Sequence, residues 1–271
     1  MSKRWAAVEA DGDWLVLKQV ETDEWFRGCG TPITTQDLIA AFKSTKYFND
    51  LIDTNTIAIY VVGSRAIGLE KLTSDLDLIV IVDNPEIDVD GKLADTRLAY
   101  KGVAVHWKFY DYRELFYVNT SADKLAVFRQ HICCRQPTHI YLADRGKKLN
   151  EYLMQNKLAI TEFGAKLVAF SYKTDLLQYN DRILQRADLK KTLYHLVMAS
   201  EILSGGIDYN FLLDVKQASP YEYNRLANMG FIDRLTDEIH WLIKYTASID
   251  YNELSAQADI VNRNICNIVA N

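Results

Sequence analysis

Gly63-Ser64-Arg65-Ala66-Ile67-Gly68 and, shortly after, Ser74-Asp75-Leu76-Asp77-Leu78-Ile79-Val80-Ile81-Val82 decide the reading of this chain. The second stretch is a continuous apolar run with two carboxylates at its start, and such a run reads as a buried strand. Side chains two apart on a strand point to the same face, so Asp75 and Asp77 project side by side from one edge of a sheet. Paired carboxylates suit Mg²⁺, which is held by one or two carboxylates together with substrate phosphates. Upstream, Ile57-Ala58-Ile59-Tyr60-Val61-Val62 is a second buried strand that runs straight into Gly63-Ser64. A small pair at that point lets a phosphate approach the backbone closely.

Together these motifs resemble the nucleotidyltransferase superfamily that includes DNA polymerase β, and within it the small predicted bacterial and phage members. The residues that carry the resemblance are Gly63 and Ser64 after the first strand, then Ser74, Asp75 and Asp77 on the second, with Arg65 and Gly68 also in place. Asp-x-Asp alone is weak, because acids alternate on many solvated strands. Gly-Ser and Ser-Asp-x-Asp in order, each joined to an apolar strand, is a much stronger signal. The resemblance implies an α+β fold: an α/β head of the nucleotidyltransferase type with a mixed sheet, followed by an α-helical C-terminal domain. It implies transfer of a nucleoside monophosphate from an NTP, ATP by default, to an acceptor. Asp75 and Asp77 would hold Mg²⁺ on the triphosphate, while Gly63, Ser64, Arg65 and Ser74 would line the nucleotide. The acceptor, whether small molecule, protein or RNA, is open.

One position departs from the pattern. The superfamily carries a third acid on the next strand, and the matching stretch here is Val103-Ala104-Val105-His106-Trp107-Lys108-Phe109-Tyr110, with His106 where the acid belongs. On strand alternation His106, Lys108 and Tyr110 share one face, and Val105, Trp107 and Phe109 the other. Three readings are open. His106 replaces the carboxylate as ligand or general base, for which an ordinary imidazole pKa of about 6.5 is suited. Or Asp111 or another acid serves instead. Or the third acid is lost, and the chain is a weakened or inactive nucleotide-binding protein of the same fold. A neutral imidazole is a poor ligand for Mg²⁺ and a better one for Mn²⁺ or Zn²⁺.

Far downstream, Lys190-Lys191-Thr192-Leu193-Tyr194-His195-Leu196 leads into an apolar helix closed by Gly205-Gly206. The small members of the superfamily look similar there. The wider superfamily implies a basic helix residue on the triphosphate, and Lys191 and His195 lie four apart on one helix face. A solvated lysine and a satisfied packing histidine are the alternatives for these two.

Composition bounds the rest. The chain has 271 residues, 49% hydrophobic and 25% charged, enough for one large or two moderate domains. No apolar run reaches the roughly 18 residues of a membrane span, and Met1-Ser2-Lys3-Arg4-Trp5 opens no signal-peptide core, so the expected location is cytoplasmic. Cys29, Cys133, Cys134 and Cys266 match neither zinc-ligand nor disulfide-ladder spacing. A net charge of −5 with no prominent basic stripe argues against extended DNA binding.

The expected domains are a head over 1–112, with an N-terminal extension over 1–50 and a motif core over 55–112, and a helical domain over 113–271. Trp14–Val20 reads as a strand, and Thr34-Thr35 as a helix start before Leu38. Asp88-Val89-Asp90-Gly91 reads as a turn. From Tyr112 onward the pattern is helical, with helices expected over 147–153, 160–187, 189–204, 231–246 and 251–269.

Overall fold

The structure is a computed structural model that describes residues 3–11, 14–21, 35–66, 75–86, 90–92, 99–100, 103–116, 138–172, 190–217 and 230–271. The chain divides into two compact units. The first comprises residues 1–114, 135–152 and 265–271, and the second 115–134 and 153–264.

Among the described residues, every strand belongs to the first unit. β1 (Lys3–Asp11) and β2 (Trp14–Glu21) form an antiparallel hairpin, with an irregularity between Ala7 and Glu9. The main sheet is built on β3 (Thr56–Val62) and β4 (Leu76–Val82), which run antiparallel. Outside β4 lies β7 (Val103–Asp111), parallel to it, and beyond that β5 (Asp90–Lys92), antiparallel to β7. The two-residue β6 (Ala99–Tyr100) also pairs with β7, and β8 (Thr138–Leu142) pairs antiparallel with the other edge of β3. The sheet is therefore mixed, as expected.

Why β3 and β4 sit centrally follows from their composition. All seven residues of β3 are buried, as are six of the seven in β4, the exception being Asp77. Strands covered on both faces need continuous apolar sequence. One face is covered by α1 (Thr35–Lys43) and α2 (Lys46–Leu51), whose Leu38, Phe42, Phe48 and Leu51 pack on Ile59, Val61, Leu76, Leu78, Val80 and Val105. Each fully buried side chain of this kind contributes roughly 1.5–3 kcal/mol. Thr45 caps α2 by accepting the Phe48 N–H at 3.3 Å. On the opposite face α4 (Asp144–Gln155) crosses β3 at Gly146, where a Cβ would stand 2.1 Å from the Ile57 carbonyl oxygen. Tyr60 points to that side, and its hydroxyl donates to Asn150 Oδ1 at 3.3 Å. Burial pushes that phenol's pKa above the ordinary value.

Two expectations need correction. The stretch after Tyr112 is not helical throughout, because β8 completes the sheet; a five-residue strand is too short to show period-2 alternation, and only pairing with β3 defines it. The turn expected at Asp88–Gly91 is in part strand, since Asp90 and Gly91 open β5 on the β7 edge.

The second unit is helical. Its described helices are α5 (Lys157–Ser171), α6 (Lys190–Ser204), α7 (Tyr209–Gln217), α8 (Phe231–Ala247) and the first part of α9 (Tyr251–Ala270). The helix expected over 160–187 starts at Lys157 and is described through Ser171, and the one expected from 189 is α6. α6 packs against α5, α7 and α8, and residues 193–201 are buried without a break. Inside this unit Glu201 accepts from Arg234 at 2.7 Å and from the Asp208 N–H at 2.9 Å. Arg234 also reaches Asp208 at 2.7 Å, and its guanidinium lies 3.9 Å from the Phe211 ring centre. Among the described residues no helix is long and apolar enough to cross a membrane.

Candidate active site

Strand pairing builds the site. Val62, the last residue of β3, lies opposite Asp77 in β4, so the chain enters Gly63 beside that carboxylate. α3 (Gly63–Ala66) begins there, and Gly63 has φ of +73°, a conformation that side chains with a Cβ rarely adopt. The space is as demanding as the dihedral, because a Cβ at Gly63 would stand 2.1 Å from Asp77 Oδ2. Glycine is required here for two separate reasons. The Gly63→Ala variant is expected to displace the Asp77 carboxylate and to cost about 1–2 kcal/mol in left-handed strain, which urea unfolding of the variant against wild type measures.

Asp75 immediately precedes β4 and Asp77 is its second residue. Over Asp75, Leu76 and Asp77 the side chains run half-buried, buried, half-buried, which turns both acids away from the Leu76 core. On the far side of β4, the parallel register sets His106 opposite Asp77. His106 Nδ1 lies 3.3 Å from Asp77 Oδ1, with side-chain exposures of 36% and 29%. The two side chains are thus within hydrogen-bonding reach of each other. Val105, Trp107 and Phe109 pack on the opposite face, against the α1–α2 core, and this is the alternation read from the sequence.

Asp111 is not a neighbour of these groups. It pairs with Val82 at the other end of β7, five residues or ~16 Å along the strand. There it accepts from the Asn84 N–H at 2.9 Å, the Arg113 N–H at 2.9 Å and Arg113 Nη1 at 2.7 Å. Arg113 also binds Asp83, as does Arg145 at 2.7 Å. Arg145, with Arg113, holds the Asp83 carboxyl below its ordinary pKa. This cluster staples the ends of β4 and β7 to α4. No sequence spacing announces it, since its members are brought together only by the sheet.

The other expected residues are placed as follows. Arg65 is buried in α3, at 5% exposure. Ser64 opens the helix beside Gly63, though only its backbone is described, and Ser74 lies outside the described residues. Lys191 is in the first turn of α6 with its side chain undescribed. His195 is 2% exposed, its ring edge-on to Tyr194 at 5.6 Å. Both belong to the helical unit.

Residues 45–132, which span α2, β3, α3, β4 and β7, match the nucleotidyltransferase domain family. Over these residues the head is similar to nucleotidyltransferase domains. No curated protein matches the chain. The crystal structure of a nucleotidyltransferase-like protein from Exiguobacterium sibiricum 255-15 is similar at 14% identity over 78% of this chain and 78% of that one, with a TM-score of 0.31. Domains of this family act on nucleoside triphosphates and use divalent metals. No three His, Cys, Asp or Glu side chains among the described residues converge as a ligand set. Two half-buried carboxylates on one face fit a cation that arrives on substrate phosphates rather than one caged by protein alone.

Proposed function

We propose that this head transfers a nucleoside monophosphate from an NTP, ATP by default, to an acceptor and releases pyrophosphate. The observation that supports it most is the Asp77 carboxylate set between Gly63 and His106, at the mouth of the β3 turn. In this reading the turn at Gly63 offers backbone N–H groups to the β- and γ-phosphates, and the hydroxyl-bearing Ser64 and Ser74 are counted with it as nucleotide-binding residues. Arg65, being buried, orients the turn. Asp75 and Asp77 would hold Mg²⁺, which would supply neutralising charge to the phosphates. The acceptor oxygen attacks the α-phosphorus, the bond to the bridging oxygen breaks, and pyrophosphate leaves with that electron pair. Catalysis by the protein is positioning and charge stabilisation.

A second reading is favoured by one residue. His106 stands where the superfamily has an acid, which suits a nucleotide-binding protein that turns its ligand over slowly or not at all. The experiment common to both is thermal unfolding with each NTP and dNTP, with and without Mg²⁺ or Mn²⁺, on wild type and Asp77→Asn. A ligand at about 100 Kd adds about 2.7 kcal/mol to stability. A metal-dependent shift with one nucleotide, absent in the variant, is the expected result. No shift with any nucleotide would remove both readings. Labelled nucleotide transferred to an acceptor separates the enzyme from the binding protein.

A further inference from the structure

We infer that Asp111 is a positioning residue that acts ~16 Å from Asp77, by fixing the register of β7 on β4 and with it which β7 side chain stands beside that carboxylate. The site it serves is the nucleotide site of the reading above, and its role there rests on that reading. The apolar residues of the two strands do not fix the register. Val105, Trp107 and Phe109 recur at every second position, so a two-residue slip returns each to the same face and brings Lys108 to Asp77 in place of His106. The charges at the far end tell the registers apart. Asp111 is 8% exposed and accepts from the Asn84 N–H, the Arg113 N–H and Arg113 Nη1. The two Arg113 donors would travel with β7. The Asn84 N–H, at 2.9 Å, belongs to the chain leaving β4 and would not. Arg113 ties the same strand ends a second time by binding Asp83. The slip that brings Lys108 to Asp77 moves β7 by about 7 Å along β4 and breaks both ties. It also carries the Asp111 carboxylate inward, from beside Val82 to beside Val80, which is fully buried in the core under α1 and α2. There the carboxylate has lost a donor and lies among apolar side chains, where an under-bonded charge is most costly. The opposite slip draws Asp111 past the end of β4 and breaks the same two ties. Selecting one register among several of equal apolar fit is the best-attested use of a buried ionic group.

The test reads the register directly, from nuclear Overhauser contacts between the backbone amides of β4 and β7 in the deuterated full chain without nucleotide. Wild type is expected to show one set of contacts, with Asp77 beside His106. Asp111→Val removes the acceptor and suits the apolar position beside Val80. A second set, with Asp77 beside Lys108, is expected there at about 10% or more of the first. Asp111→Asn keeps an oxygen for the Asn84 N–H and is expected to show the wild-type set alone. Arg113→Gln, at a side chain 39% exposed, cuts the tie to Asp83 and leaves the Asn84 bond. It is expected to show the second set more weakly, and it decides the matter if Asp111→Val does not fold. The wild-type set alone in folded Asp111→Val, whatever its loss of stability, would overturn the inference, because the network would then stabilise the sheet without choosing its register. The same result in Arg113→Gln, with Asp111→Val unfolded, would overturn it too. Because no nucleotide is present, a failed thermal-shift experiment removes the nucleotide reading and leaves the register result standing.

Discussion

Asp77→Asn is expected to slow nucleotidyl transfer about a thousandfold, which corresponds to about 4 kcal/mol of barrier. The substitution is nearly isosteric. Asn keeps an oxygen to accept from His106 and fits the gap above Gly63, so β4 retains its core packing through Leu76 and Leu78. What it removes is a full negative charge at the one half-buried position of an otherwise buried strand. Charge placed against a cation–triphosphate pair in a partly dry site is worth far more than in water. Rate measurements at saturating nucleotide, with unfolding curves on the same preparations, test the claim. A rate within a few-fold of wild type in a folded variant would exclude Asp77 from the chemistry.

Arg234→Met is expected to destabilise the helical unit by about 2 kcal/mol, because it takes a half-exposed cation away from a buried carboxylate. Glu201 is 2% exposed, and burial pushes its pKa from 4.5 up to about 7, while the Asp208 N–H and Arg234 act in the opposite direction. Taking Arg234 away leaves the carboxylate buried with a single backbone donor and frees Asp208 from its partner. Methionine keeps the contact with Phe211 and isolates the charge effect. The sign with pH follows. Below about 4.5 Glu201 is protonated in both folded and unfolded chains, so the deficit is smallest there. It grows as pH rises through 7 and the buried group is asked to ionise. Urea midpoints for wild type and variant at pH 5 and pH 8 measure this, and a deficit larger at pH 5 would reverse the account. Arg234→Lys is expected to recover only part of the loss, since one ammonium cannot bind two carboxylates as the planar fork does.

Much of the head is legible in the chain itself. The apolar runs of β3 and β4 announce themselves, and so does the alternation of β7, with Val105, Trp107 and Phe109 turned to the core. The helix boundaries of α6, α8 and α9 are readable to within a residue or two from periodicity and the Gly205 and Gly230 breaks. Other elements are not. β1 is alanine-rich, with weak strand propensity, and its cue is the two-residue Gly12-Asp13 connection to β2 rather than its own sequence. β5 and β8 are edge strands of three and five residues, defined only by the neighbours they pair with. The pair of Glu201 and Arg234 is separated by 33 residues and exists only because α8 lies on α6.

The same division runs through the site. Short-range rules, a two-residue strand period and the backbone freedom of glycine, are enough to put Asp75 and Asp77 on one face and Gly63-Ser64 at the end of the preceding strand. They also put His106, Lys108 and Tyr110 on a common face of β7. They leave open which of those three stands beside Asp77, because β4 and β7 are parallel and the long connection over residues 83–102 imposes no register. A slip of two residues would preserve every buried position by parity and bring Lys108 to the carboxylate in place of His106. Tertiary structure alone decides this. The ladder that pairs Leu76 with Val105 and Val82 with Asp111 sets His106 against Asp77 and carries Asp111 to the far end, where Arg113 and the Asn84 N–H hold it.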